Sequence, residues 1–196
     1  MKAPELIPTS EKIDKLIKRI DSGDIRIPAF QRAYIWKQNQ VLELLDSLIT
    51  NYPIGSVLLW YTSDRLKHTR NIAGYLIPDT KIEYPVNYVL DGQQRLSSIY
   101  AVFSDRTEQD KQSDQYNPNL NIFEIYYDFA DKKFLTLSEI DATKTSIIYL
   151  KNLIDTTKLI PALANLDPKY HSEASMLCSK FLNYEIPVVT IKYRTK

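Results

Sequence analysis

Cysteine and histidine are scarce in this chain of 196 residues, which narrows the chemistry it can perform. Cys178 is the single cysteine, so an internal disulfide framework is excluded and a reducing cytoplasm fits. The two histidines, His68 and His171, do not supply the ligands of a zinc centre or of a histidine–metal nuclease site. Any chemistry here must therefore use carboxylates, amides and guanidinium groups, together with a divalent cation. That set of groups suits phosphoryl transfer.

Glycine is also rare, and long apolar runs are missing. Four glycines leave no room for a Gly-x-x-x-x-Gly-Lys-Ser/Thr phosphate loop, a Gly-x-Gly-x-x-Gly fingerprint or a Gly-x-Ser-x-Gly elbow, and none is present. The longest clearly apolar run is Val57–Tyr61, far shorter than a membrane span. Residues 1–10 contain no apolar signal core. We therefore expect a cytoplasmic protein with no membrane partner.

Positive and negative charges nearly balance, with 25 basic and 24 acidic side chains and a formal net charge of +1. A nucleic-acid surface, if present, must then be a local patch. The length suits one large core, and no repeat or long linker divides it, so residues 1–196 are expected to form a single domain.

The most informative stretch is Tyr88-Val89-Leu90-Asp91-Gly92-Gln93-Gln94-Arg95-Leu96. Apolar residues lead into an Asp-Gly pair, and the following apolar residues are spaced as on one face of a helix. Gly92 provides the backbone freedom that a tight turn needs. The stretch therefore predicts a strand, a turn and a helix.

This arrangement predicts an anion site. The first amides of a helix lack internal partners and carry partial positive charge, and Arg95 can add a two-pronged donor. Asp91 can hold Mg²⁺ or another divalent cation. A purely structural interpretation also fits, with Asp91 as the N-cap, Gln94 completing a capping box and Arg95 in a surface ion pair.

A second unusual stretch is residues 27–36, an aromatic-rich segment without a regular period, which predicts an ordered loop. Gln31 and Arg32 are candidates to meet the same anion as Arg95 from another side. The aromatic side chains have two interpretations. Phe30 and Trp36 can fill the core, whereas Tyr34 and Trp36 can stack on bases.

The remaining pattern predicts an α/β fold, a small mixed sheet flanked by helices. A first helix is predicted after a cap at Thr9 or Ser10, and the clearest helix over Lys37–Asn51. The other expected elements are strands over Ser56–Tyr61, 122–127, 133–137 and 186–191, a polar loop over 105–121, and helices over 151–166 and 168–184. Residues 146–150 fit either a further short strand or the start of a helix. Cys178 is expected to be a small core residue.

Together these segments resemble a known family. The Ile-Pro-x-Phe-Gln-Arg-x-Tyr-x-Trp segment at 27–36, the Tyr-Pro-Ile-Gly-Ser segment at 52–56 and the DGQQR motif at 91–95 closely resemble the N-terminal domain of GmrSD-type restriction systems. The resemblance is strong over about residues 10–104 and weaker to 191. It implies a ParB/sulfiredoxin-like fold.

The resemblance also implies a function, a nucleoside triphosphatase in a phage-defence system directed at DNA, often modified DNA. It implies that Asp91, Gly92, Gln93, Gln94 and Arg95 form the catalytic motif. Gln31 and Arg32 match the upstream element of the family. The expected partners are a nucleoside triphosphate, DNA and a nuclease subunit or C-terminal nuclease domain.

Two rival functions remain open at this point. One is a DNA-binding or DNA-nicking module that senses modified DNA, and the other is a non-catalytic interaction domain for a nuclease. Family members usually continue beyond the Ile-Pro-Val-Val strand, whereas this sequence stops at Lys196. The expectation is therefore an excised fragment or a short variant of a longer architecture.

Overall fold

A mixed sheet lies at the centre of the computed structural model, which describes residues 4–69, 71–77, 83–105 and 120–193. The strands are β1 (Glu5–Lys12), β2 (Ile25–Pro28), β3 (Val57–Thr62), β4 (His68–Thr69), β5 (Asn71–Ile72), β6 (Tyr75–Leu76), β7 (Val86–Asp91), β8 (Ile125–Asp128), β9 (Lys133–Thr136), β10 (Ile147–Tyr149) and β11 (Glu185–Lys192). The α-helices are α1 (Ile13–Asp21), α2 (Gln38–Ile49), α3 (Gln93–Phe103), α4 (Thr156–Ala164) and α5 (His171–Asn183). The predicted α/β fold is confirmed.

The strand order of the central sheet is β1-β11-β3-β7-β2-β4 within the described residues. The pairs β11/β3 and β7/β2 are parallel, and the pairs β1/β11, β3/β7 and β2/β4 are antiparallel. A second sheet has the order β10-β8-β9, and β5 and β6 form a short hairpin. Strand β7, which leads into the candidate site, is thus an interior strand between β3 and β2.

The apolar stripe predicted for the first helix is buried, but that helix begins later than its sequence suggests. The buried face of α1 is formed by Ile13, Leu16, Ile17 and Ile20. Thr9 and Ser10 do not cap it, because they lie in β1 opposite Val188 and Pro187 of β11. Helix α2 confirms the second predicted helix, and its buried face is formed by Val41, Leu44, Leu45 and Leu48.

Helices α1 and α2 each contact α3 and α5, and the four helices share one apolar core. Cys178 of α5 is buried in this core, as predicted. Of the two aromatic side chains proposed as core plugs, Trp36 packs partly against the core, whereas Phe30 is 69% exposed. The predicted polar loop over 105–121 falls mostly outside the described residues.

None of the helices that the structure describes is long and apolar enough to cross a membrane.

Candidate functional site

The predicted strand, turn and helix are present around Asp91. Strand β7 ends at Asp91, Gly92 follows with φ +83°, and α3 begins at Gln93. A Cβ at Gly92 would lie 3.2 Å from both the Ser56 carbonyl oxygen and the Val57 Cα atom. Glycine is therefore required here for its backbone conformation and for the close approach of β3.

A β-bulge comes directly before this turn. Leu59 of β3 pairs with Val89 and Leu58 pairs with Asp91, so Leu90 is an extra residue in β7. Gln31 donates from Nε2 to the carbonyl oxygens of Leu90, at 3.0 Å, and of Val89, at 3.2 Å. The side chain of Gln31 thus binds the backbone where the ladder is interrupted. Bulges often redirect a side chain next to a functional site, and here the redirected residue is Asp91.

The N-terminus of α3 has no side-chain cap. The structural interpretation with Asp91 as N-cap is wrong, because Gly92 occupies that position and no capping box forms. The first backbone bond of the helix runs from the Leu96 amide to the Gly92 carbonyl oxygen, at 3.0 Å. The preceding amides of the first turn therefore remain donors for an anion.

Gln94 is buried and binds the backbone of the aromatic-rich loop. Its Oε1 accepts from the amides of Ile35, at 2.9 Å, and Trp36, at 3.3 Å. Its Nε2 donates to the carbonyl oxygen of Ala33 at 3.2 Å. These bonds fix the loop to the first turn of α3, so Gln94 acts structurally in this geometry.

Gln93 also contacts the loop, but only through its amide nitrogen, which donates to the Arg32 carbonyl oxygen at 3.0 Å. The side chain is half-buried. Of the two glutamines in the motif, Gln93 is the one that borders both solvent and the candidate site.

Arg95 contacts backbone carbonyls of the segment between α2 and β3. Its Nη1 donates to the Ile54 carbonyl oxygen, and its Nη2 donates to the Ser56 carbonyl oxygen at 3.0 Å. Nη2 also lies 3.8 Å from Oδ2 of Asp91, whose side chain is 76% exposed, whereas that of Arg95 is 20% exposed. The anticipated ion pair is present, but Arg95 is not a surface residue.

A hollow of about 180 Å³ lies beside these residues. It is lined by Gln31, Arg32, Trp36, Asp91, Gly92, Gln93, Gln94 and Arg95. Its charged groups are two guanidiniums and one carboxylate, which leave an excess of one positive charge. The sequence-predicted residues of both unusual stretches therefore meet at one concave site, and the hollow is of a size for phosphate groups but smaller than typical pockets for whole drug-sized ligands.

Tyr34 is the one candidate that does not line the hollow. Its hydroxyl lies 2.7 Å from Oγ of Ser98, and its ring packs edge-on against Phe123 with centroids 5.3 Å apart. Burial raises the pKa of Tyr34 to about 12, although the hydrogen bond with Ser98 opposes this shift. Tyr34 thus anchors the loop to α3.

The residues of this site fit a magnesium ion only if a ligand brings further oxygens. Within the described residues, no group of three or more His, Cys, Asp or Glu side chains is arranged to hold a metal. Asp91 offers one exposed carboxylate at the hollow. One carboxylate combined with substrate phosphates is a usual way for proteins to bind Mg²⁺.

Ile54, Gly55 and Ser56 were not assigned a role from the sequence, although they contact Arg95. The signal that pointed to them was the Tyr-Pro-Ile-Gly-Ser segment, which carried part of the family resemblance. Backbone carbonyl groups have no side-chain signature in a sequence, so Gly55 is the residue of this segment that could have indicated a close approach.

Comparison with known proteins identifies the family of this chain. The chain is 28% identical over 160 residues to an uncharacterized protein of Methanocaldococcus jannaschii, an alignment covering 79% of this chain. The chain spans 28% of the length of that relative. The family model described as "GmrSD restriction endonuclease, N-terminal domain" matches residues 13–195, which include every residue of the hollow. The chain therefore belongs to the family of GmrSD restriction endonuclease N-terminal domains.

Proposed function

We propose that this domain hydrolyses nucleoside triphosphates and that hydrolysis serves a restriction system that defends against phage DNA. One observation carries the proposal: an exposed carboxylate, uncapped helix amides and guanidinium groups line the same small hollow. Phosphoryl transfer depends mainly on positioning and on neutralising the charge of the phosphate oxygens. The membership in a restriction-system family supports the same function.

The amides at the start of α3 would bind phosphate oxygens, and the positive charge of the guanidinium groups that line the hollow would offset charge that builds up on the transferred group. Asp91 would hold Mg²⁺. When bound, this ion would neutralise phosphate charge and fix the geometry of the triphosphate. Gln93 would orient the attacking water, since the carboxamide of Gln94 is already engaged with the loop backbone.

The test is phosphate release from each common nucleoside triphosphate, with and without Mg²⁺ and DNA. Asp91→Asn should reduce turnover by about 10²–10³ and remove most of the dependence on Mg²⁺. The melting temperature should stay within about 1–2 °C, because the side chain is largely exposed. Asp64→Asn is a suitable control, since Asp64 is an exposed residue beyond the opposite end of β3.

Turnover that survives Asp91→Asn would contradict the assigned site. A chain that hydrolyses no triphosphate, with or without DNA and in the presence of the remaining parts of the longer protein, would contradict the function itself.

DNA binding is a second candidate, because the loop beside the hollow exposes apolar as well as charged side chains. Phe30 is 69% exposed, Ile35 is 58% exposed, and Arg32 lies between them in the loop. Exposed aromatic side chains next to a cation are typical of surfaces that bind single-stranded nucleic acid. In this function the hollow would hold a strand phosphate, and affinity would fall steeply with salt. A nuclease partner or nuclease domain would then cut the recognised DNA.

The measurement for this candidate is the affinity for a fluorescent single strand at several salt concentrations. Phe30→Ala should weaken binding by roughly 1–3 kcal/mol. Leu137→Ala removes another exposed apolar side chain, outside this loop, and should have no effect.

A further inference from the structure

The two arginines that line the hollow have different structural settings. We infer that Arg32 binds the anion directly and that Arg95 is a positioning residue, which holds Asp91 and the 54–56 segment in place. This inference rests on the proposed function for the identity of the anion, a chain of phosphates. It assigns separate tasks to two residues that carry the same chemical group.

Arg95 already has partners for its guanidinium. Two of its N–H groups bind the carbonyl oxygens of Ile54 and Ser56, and Asp91 provides a counter-charge 3.8 Å away. To bind a phosphate with both prongs, Arg95 would have to leave these acceptors. Two partly buried carbonyl groups would then lose their hydrogen bonds, which is unfavourable.

Gly55 shows how closely the guanidinium of Arg95 fits the segment. Gly55 has φ +80°, and a Cβ added to it would overlap Nη1 of Arg95 and lie 3.3 Å from Cζ. The segment is therefore shaped to receive this guanidinium, and the absence of a side chain at residue 55 is part of that fit.

Arg32 has the opposite character. Its side chain is exposed, and among the described residues it has no hydrogen-bond or ion-pair partner. Its backbone is nevertheless fixed, because Gln93 donates to the Arg32 carbonyl oxygen at 3.0 Å and Gln31 binds the end of β7. An anchored backbone with an uncompensated guanidinium is well suited to bind an incoming anion with little reorganisation.

The task of Arg95 follows from what it joins. The guanidinium links Asp91, at the end of β7, to the segment that precedes β3. If this link is lost, we expect the carboxylate of Asp91 to move, while the amides of α3 and Arg32 stay in place. The expected consequence is a loss of metal-assisted binding without a loss of anion binding itself.

The test is calorimetric titration with pyrophosphate, with and without Mg²⁺. Arg32→Gln should weaken metal-free binding at least about tenfold and leave the melting temperature unchanged. Arg95→Lys keeps the charge but cannot reach both carbonyls with one ammonium group. It should leave metal-free affinity within about threefold and reduce the gain produced by Mg²⁺ to the level of Asp91→Asn. Arg65→Gln is the matched control, because exposed Arg65 lies over the ring of Tyr84, before the start of β7.

A double-mutant cycle tests the fit between Arg95 and Gly55. Gly55→Ala should lower the melting temperature in the parent chain and lower it less when Arg95→Lys is present, since the overlap with Nη1 is then absent. The part of the loss that comes from the positive φ should remain in both backgrounds.

The inference is overturned if Arg95→Lys weakens metal-free binding as much as Arg32→Gln does, if Arg32→Gln binds like the parent, or if the parent does not bind pyrophosphate. It is also overturned if the effects of Gly55→Ala and Arg95→Lys are additive. Turnover decides the proposed function separately, because a chain that binds pyrophosphate through Arg32 and hydrolyses no triphosphate retains the division of tasks and loses only the enzymatic activity.

Discussion

Glutamine side chains in this site bind backbone groups, and each one joins two segments that are distant in sequence. Gln31 joins the aromatic-rich loop to the end of β7, and Gln93 and Gln94 join α3 back to that loop. A carboxamide can both donate and accept, so it can replace the backbone partners that a loop lacks. The site is thus assembled largely by uncharged hydrogen bonds.

Replacing Gln94 should therefore be more harmful to folding than replacing Gln93. Gln94→Ala removes hydrogen bonds to Ala33, Ile35 and Trp36 from a buried position and should lower the free energy of unfolding by about 1–3 kcal/mol. Gln93→Ala removes one half-exposed bond and should cost less than about 1 kcal/mol. Urea denaturation of both variants measures the difference. Equal losses would mean that the Gln94 contacts do not hold the loop.

Cys178 provides a second expectation for a single residue. Its thiol is buried, lies 2.9 Å from the Leu153 carbonyl oxygen and has a pKa raised by burial. The thiolate is the reactive form, so the native protein should react with a thiol reagent far more slowly than the urea-unfolded chain. Fast labelling of the native chain at pH 8 would contradict the core position of Cys178.

Much of the site could be predicted residue by residue. Asp91 and Gly92 line the hollow as the sequence indicated, because an Asp-Gly turn before a helix has a strong local signature. Arg32 lines it too, as expected from its place in the aromatic-rich loop. The contacts of Arg95 with backbone carbonyls could not be predicted, since they depend on a segment about 40 residues earlier in the chain.

The first helix and strand show which elements local pattern can and cannot reveal. The 3.6-residue period of α1 is a local pattern, and it predicts the helix with the correct buried face. Strand β1 was missed, because its residues are mostly exposed and lack alternation, and its pairing partner β11 lies at positions 185–192. Pairing at such a separation leaves no trace in a short window.

At the scale of elements, substitutions in α1 should destabilise the fold strongly only on the buried face of the helix. Leu16 has no exposed surface, so Leu16→Ala should lower the free energy of unfolding by about 2–5 kcal/mol. Lys18→Ala removes an exposed ion pair with Asp14 and should cost no more than about 0.5 kcal/mol. Urea denaturation and circular dichroism of both variants check the orientation of the helix. A larger loss for Lys18→Ala would contradict it.

For the whole molecule, stability at low pH should depend on a buried carboxylate far in sequence from the site. Asp128 has no exposed surface. Burial pushes its pKa up, but hydrogen bonds from Ser146, Lys144 and the amide of Ala130 outweigh burial and lower the pKa to about 2. Asp128 therefore stabilises the fold above its ordinary pKa of 3.8, and this contribution is lost as the pH falls through about 2.

The expected measurement is urea denaturation at pH 5, 3.5 and 2.5. Across this range, the free energy of unfolding should fall by on the order of 2 kcal/mol more in the parent chain than in Asp128→Asn. The reason is that a pKa difference of one unit between the folded and unfolded states corresponds to about 1.4 kcal/mol. Asp131→Asn, a half-exposed partner of the same lysine, is the control and should behave like the parent. An identical acid dependence in parent and Asp128→Asn would contradict the assignment.

The bulge at Leu90 decides which face of the sheet receives the carboxylate of Asp91. Residues that pair across two strands share a face and successive residues alternate, so Asp91, opposite Leu58, lies on the face opposite that of Val89. In a ladder without the bulge, Leu90 would pair with Leu58, and Asp91 would be displaced by one position to the other face. The same sequence would then present its carboxylate away from the cleft, so the local pairing, and not the composition of the motif alone, sets the side on which its chemistry occurs.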